Sequence, residues 1–125
     1  MNLLLDTHVL LWWFADDGQL SRAARSAIRD PDRMVYVSAA TAWEISIKRA
    51  LGKLEAPGNL ETEIANNGFL ELPITMVQAL VAGGLPDHHN DPFDRMLVAQ
   101  AMSEQLALVS RNKQLARYGV SIVAG

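Results

Sequence analysis

Asn2-Leu3-Leu4-Leu5-Asp6-Thr7-His8 opens the chain with three consecutive leucines and stops them at a carboxylate. A short, unbroken apolar run has no polar face to offer water. It suits a strand covered on both sides, as in a parallel sheet, better than the alternating pattern of a strand with one wet face. An acid directly after such a strand must be solvated, paired or bound to a cation. In open parallel sheets, that end of the strand is where ligands bind. One heptapeptide thus predicts a sheet type and a site.

Working outward, residues 7–15 read as a helix that is apolar almost all round (Val9, Leu10, Leu11, Trp12, Trp13, Phe14). A helix of that kind is fully buried or lies in an interface. Asp16-Asp17-Gly18 ends it, and Ser21 is a good N-cap for a helix to about residue 29. A second strand is expected at 34–38 and a helix at about 40–51, stopped by Gly52. Asn59 should cap a short helix to about residue 65. A weak strand follows at 69–72, and Thr75 caps a helix to about residue 82. Beyond the polar loop 87–90, Asp91-Pro92 starts a strong helix to about residue 105. A strand at 106–110, a short helix at 112–118 and a last strand at 120–123 complete the chain. The alternation predicts the α/β class, with one domain over residues 1–125. The expected architecture is a three-layer α/β/α sandwich around a central parallel sheet of four to five strands.

Composition bounds the function. The 125 residues suffice for one real core, and half of them are hydrophobic, which excludes a disordered chain. Without cysteine there is neither a disulfide nor a thiolate metal site. No signal-peptide pattern and no apolar run of spanning length are found, so a cytoplasmic protein without membrane attachment is expected. The net charge is −3, yet setting aside four acids that belong to the candidate site leaves ten acids against eleven bases. The sign of the whole chain therefore does not exclude an anionic substrate. The bases gather as Lys48, Arg49 and Lys53, and as Arg111, Lys113 and Arg117. Each group is more often simply a solvated helix face.

Those four acids are Asp6, Glu44, Asp91 and Asp94. Asp6 ends the first strand, and Glu44 lies one turn into the helix after the second. Asp91 and Asp94, three residues apart, share a helix face. All can converge on one edge of the sheet, beside Ser110 and Asn112 at the end of the 106–110 strand. Hard cations such as Mg²⁺ and Mn²⁺ prefer oxygen ligands, and gathered carboxylates repel one another unless a cation sits among them. Hydrolysis of a phosphodiester by metal and water is the chemistry that needs such a set and no nucleophilic side chain. Each residue also has a plain structural use. Asp91, Pro92 and Asp94 are what helix-start rules write at N-cap, N1 and N3. Glu44 can close a capping box with Thr41 or pair with Lys48, and Asp6 can cap the next helix. His88 and His89 are expected as ordinary loop residues. Trp12, Trp13 and Trp43 can stack on bases, with core or dimer packing the expected use.

Leu4-Leu5-Asp6-Thr7-His8, Ser38-Ala39-Ala40-Thr41-Ala42-Trp43-Glu44-Ile45, Asp91-Pro92-Phe93-Asp94-Arg95-Met96-Leu97-Val98-Ala99-Gln100-Ala101 and Leu108-Val109-Ser110-Arg111-Asn112 together resemble the PIN-domain family. Within it, they are closest to the VapC-like toxins of toxin–antitoxin pairs. The likeness covers essentially the whole chain. It implies a Mg²⁺- or Mn²⁺-dependent endoribonuclease, with RNA as substrate and a cognate antitoxin as partner. It also implies a homodimer that joins the antitoxin in a hetero-oligomer. Asp6, Glu44 and Asp94 match the family's principal acids, and Asp91 an additional acid of the subgroup with Asp-Pro-Phe-Asp. Asp6, Asp94 and Asp91 would hold the metal, with Ser110 and Asn112 in support. Asn112 stands where an aspartate is frequent. An amide oxygen is an uncharged ligand, which favours one firmly held ion over two. Lys48 and Arg111 are the candidates for contacts to RNA phosphates. A non-catalytic PIN-like module that binds RNA or protein is the alternative. A phosphotransfer receiver fits poorly, since Ser38 ends the second strand.

Overall fold

The computed structural model describes residues 1–125. Five strands, β1 (Leu3–Leu5), β2 (Val35–Ser38), β3 (Leu70–Leu72), β4 (Ala107–Ser110) and β5 (Ile122–Ala124), form one sheet in the order β3-β2-β1-β4-β5. Every pairing is parallel, with Leu3 opposite both Val35 and Ala107. The helices are α1 (Thr7–Ala15), α2 (Arg22–Arg29), α3 (Ala39–Ala50), α4 (Leu60–Asn66), α5 (Met76–Gly84) and α6 (Pro92–Glu104). Residues Lys113–Tyr118 form a 3-10 helix rather than an α-helix, capped by Asn112 and ended by Gly119 at φ 84°.

The sheet is dry on both faces, as the leucine run predicts. Leu3, Leu5, Val35, Val37, Ala107 and Val109 face one side, where Val9 and Leu10 of α1, Ala24 and Ile28 of α2, Ile45 of α3 and Ile64 of α4 cover them. Leu4, Leu72 and Leu108 face the other, under Leu97, Val98 and Ala101 of α6 and Leu115 of the 3-10 helix. Strand side chains alternate between faces, so adjacent leucines feed two separate cores. The result is three layers, α/β/α.

Connectivity then fixes the place of the site. From β1 the chain moves to β2 and β3 on one side, and returns to β4 and β5 on the other. The strand order reverses between β1 and β4, and a cleft opens beyond the carboxyl ends of strands at such a switch. Asp6 follows β1 there, and Ser110 ends β4.

The two apolar helices are treated differently by the fold. The aromatic side of α1 is covered by its own chain. Trp13 donates to Asn67 Oδ1 at 3.0 Å and packs on Phe69, while Arg111 lies 4.4 Å over the Trp12 ring. On α5 the apolar surface stays open, with Met76 80% and Leu80 73% exposed beside Val77. The buried amides Gln78 and Gln100 bond to each other between α5 and α6 and fix the opposite side of that helix. Asn59 precedes α4 but makes no side-chain cap there.

Candidate active site

Asp6 is 8% exposed and stands at the junction of β1 and α1. Its N–H bonds Val109 O of β4 at 3.1 Å, which ties the acid to the neighbouring strand. One carboxylate oxygen accepts from Val9 N–H at 2.8 Å and caps α1. Burial pushes the Asp6 carboxyl above its ordinary pKa, and the nearby charge of Glu44 adds to this. The Ser110 hydroxyl and the Val9 amide act the other way.

Glu44, 6% exposed, reaches the same point from α3. Thr7 donates its hydroxyl to Glu44 Oε1 at 2.5 Å, and Lys48 Nζ closes an ion pair with Oε2. The i,i+4 reading of Glu44 is thus realised and the capping box is not. Ser38 caps α3 through Ala40 N–H, and the buried Thr41 hydroxyl has no partner at all. Glu44 raises the Lys48 pKa first, with smaller contributions from Asp91 and Asp94. Lys48 therefore senses three of the four acids.

On the other side, Asp91 caps α6. One oxygen, Oδ1, accepts from both Phe93 N–H at 2.8 Å and Asp94 N–H at 3.1 Å. Capping and metal binding do not compete here, because Oδ2 remains free of the cap. Asp94 Oδ2 meets His89 Nε2 at 2.8 Å, leaving Oδ1. Burial raises the Asp94 pKa, and Asp91 and Asp6 raise it further, against the hydrogen bond from His89. Mutual repulsion thus links Asp6 to Glu44, and Asp94 to both Asp91 and Asp6. The helix starts of α1 and α6 bring their partial positive charge to the same acids. Four carboxylates from β1, α3 and α6 share one electrostatic site.

Residues 3–120 match the PIN domain family. The chain belongs to that family. It is similar to Ribonuclease VapC22 of Mycobacterium tuberculosis (strain ATCC 25618 / H37Rv), at 31% identity over 122 residues covering 91% of this chain and 89% of that protein. Among solved structures, it resembles a toxin–antitoxin complex from Klebsiella pneumoniae, with TM-score 0.69 and 21% identity over 98% of this chain and 97% of that one. It also resembles VapBC2 from Rickettsia felis bound to a DNA fragment from their promoter, with TM-score 0.73 and 12% identity over 100% and 99% of the two chains. At such identities the structural likeness speaks for the fold.

In this PIN domain the oxygen-only donor set suits a hard divalent cation. Burial, and to a lesser extent neighbouring carboxylates, raises the pKa of both Asp6 and Asp94. No three acidic or histidine side chains are drawn tightly around one point. The site also holds Thr7, which the sequence reading missed, and His89, which it took for an ordinary loop residue. Thr7 holds Glu44, and its place between Asp6 and the apolar helix was the available signal. His89 bonds Asp94 because Arg95 folds its loop inward. The Arg95 guanidinium donates to Ala82 O at 3.1 Å, Leu85 O at 2.9 Å, Pro86 O at 3.1 Å and His89 O at 3.2 Å. Of the proposed phosphate contacts, Lys48 lies at the site. Arg111 is engaged instead with Gln19 O and the Trp12 ring.

Proposed function

We propose that the chain is a divalent-metal-dependent endoribonuclease and the toxin of a toxin–antitoxin pair. The observation that carries this is the convergence of Asp6, Glu44, Asp91 and Asp94 at the β1/β4 switch point. The similarity to a ribonuclease supports RNA as substrate.

Asp6, Asp94 and Asp91 would hold Mg²⁺ or Mn²⁺ through the oxygens that capping and His89 leave over. When bound, that ion lowers the pKa of water and stabilises charge on a phosphate. Glu44 is held at the cleft by Thr7 and Lys48, where Oε2 can take the proton of the attacking water once Lys48 turns to the phosphate. The Ser110 hydroxyl favours the charged form of Asp6 and partly offsets the effect of burial. Asn112 Nδ2, 3.5 Å from His89 Nε2, closes the wall without adding charge. Hydrolysis in this sense leaves a 3′-hydroxyl and a 5′-phosphate.

The test is cleavage of RNA by the purified chain with Mn²⁺, its loss with EDTA, and its loss in Asp94→Asn. Equal activity of that variant in a clean preparation would sink the assignment. The partner proposals rest on separate surfaces. An antitoxin would cover the acidic cleft. A second copy would pack on α5, whose Met76, Val77 and Leu80 form an open apolar stripe beyond what a monomer needs. Leu80→Asp is expected to turn the dimer into a 13.7 kDa monomer by light scattering. A monomeric native chain would refute that surface. No helix is long and apolar enough to cross a membrane.

A further inference from the structure

Trp43 is a large apolar side chain that the proposed reaction leaves unused. It is 61% exposed, although it directly precedes the buried Glu44. Its ring meets Phe93 edge-on, with centroids 5.5 Å apart and planes at 74°. Phe93 in turn directly precedes Asp94. Each ring of this pair is therefore the chain neighbour of one catalytic acid. Behind the rings a cavity of about 310 Å³ opens between α3, α5 and α6, walled also by Ile74, Pro92 and Met96. That volume lies at the lower end of the range of small-ligand sites.

The charges around this cavity are one-sided. No carboxylate lines it, and the one charged residue in its wall is Arg95. Lys48 Nζ sits 6.0 Å from the Phe93 ring centre and at the same time pairs with Glu44. One cation thus neighbours both an aromatic wall of the cavity and a carboxylate. An apolar aromatic slot beside a cation and a hydrolytic centre suits the base and the phosphate of one nucleotide.

We propose that the cavity is a nucleobase subsite, in which the unpaired base of the nucleotide adjoining the cleaved bond stacks on Trp43 and meets Phe93 edge-on. Its phosphate then lies towards Lys48 and the acids. The inference rests on the ribonuclease reading and adds a base-binding site to it. Every base has a π-face, so stacking there tolerates sequence.

A short single-stranded RNA cut by the native chain at one mapped bond, and the same RNA lacking the base next to that bond, provide the test. Trp43→Ala should raise KM about tenfold for the intact RNA, in line with the loss of one stacked base. Trp43→Phe should restore most of that loss, and kcat should change little in either variant. The RNA without the base should show the same tenfold penalty with the native chain and almost none with Trp43→Ala, because the two deletions remove one interaction. Circular dichroism verifies folding, which an exposed side chain does not govern. Unchanged KM in Trp43→Ala, or an undiminished penalty for the missing base in that variant, would overturn the subsite while leaving the ribonuclease reading intact. A change confined to oligomeric state by light scattering would overturn it in favour of a contact between copies. A native chain that cuts no RNA would end both.

Discussion

The two sides of the acidic cleft are built by different means. Asp6 and Glu44 are almost sealed in, set by strand packing, a threonine hydroxyl and the lysine one helical turn away. Asp91 and Asp94 are half-buried at the start of α6, and their neighbour His89 arrives on a loop held by a single guanidinium. Each side carries its own partner for the carboxylate charge, Lys48 on one and His89 on the other. The strand side is thus the buried floor of the cleft, and the α6 side its more open rim.

The largest effects test whether both sides belong to one centre. Asp6→Asn and Asp94→Asn should each reduce Mn²⁺-dependent cleavage by on the order of a hundredfold or more, since each removes charge from an ion that needs it. The double variant should be little worse than either single one, as groups acting as a unit are not additive. Activity that survives in one variant would confine the chemistry to the other side. A smaller effect separates floor from rim. Lys48→Met strands Glu44 in a buried place, and in EDTA it should lower stability to urea by about 1–2 kcal/mol, moderated by the partial exposure of the lysine. His89→Gln, beside the more open Asp94, should cost at most about 0.5 kcal/mol. The reverse order would break the comparison.

The acids that end β1 and start α6 were legible in the sequence, and the partners that hold the acids much less so. An apolar run ended by an acid announces β1 and Asp6, because local hydrophobicity and its interruption are properties of adjacent residues. Asp91-Pro92-Phe93-Asp94 announces the start of α6 for the same reason. Glu44 had two equivalent local explanations, and only the fold distinguished the realised pair with Lys48 from the unrealised box with Thr41. His89 depends on contacts from Arg95 to carbonyls up to thirteen residues earlier in the chain, which no periodicity encodes. The tryptophans make the same point. Trp12, Trp13 and Trp43 look alike in the sequence, yet two are covered by Arg111, Asn67 and Phe69 while the third stands at the cleft. Convergence of the four acids follows from the strand order, a property of the whole chain.

The smallest effect concerns stability alone, and bears on why the floor is built from an acid at all. Burial raises the folded-state pKa of Asp6 above its ordinary value of 3.8. Between 3.8 and that raised value, the folded chain keeps a proton that the unfolded chain has lost, so the unfolded chain binds fewer protons. Stability from this group is therefore full below 3.8, falls as pH rises through the window, and stays reduced at neutral pH without metal. Asparagine keeps the oxygen that caps α1 and removes the buried charge. In EDTA at pH 7, Asp6→Asn should thus raise Tm by roughly a few degrees, with the gain fading under acidic conditions, where the native carboxyl is also neutral. Saturating Mn²⁺ should reverse the order, stabilising the native chain over the variant by binding only where the charge is present. A metal-free variant that melts below the native chain at pH 7 would mean that the Asp6 charge is already compensated by Ser110, Val9 and α1. The floor would then have no standing need for a cation.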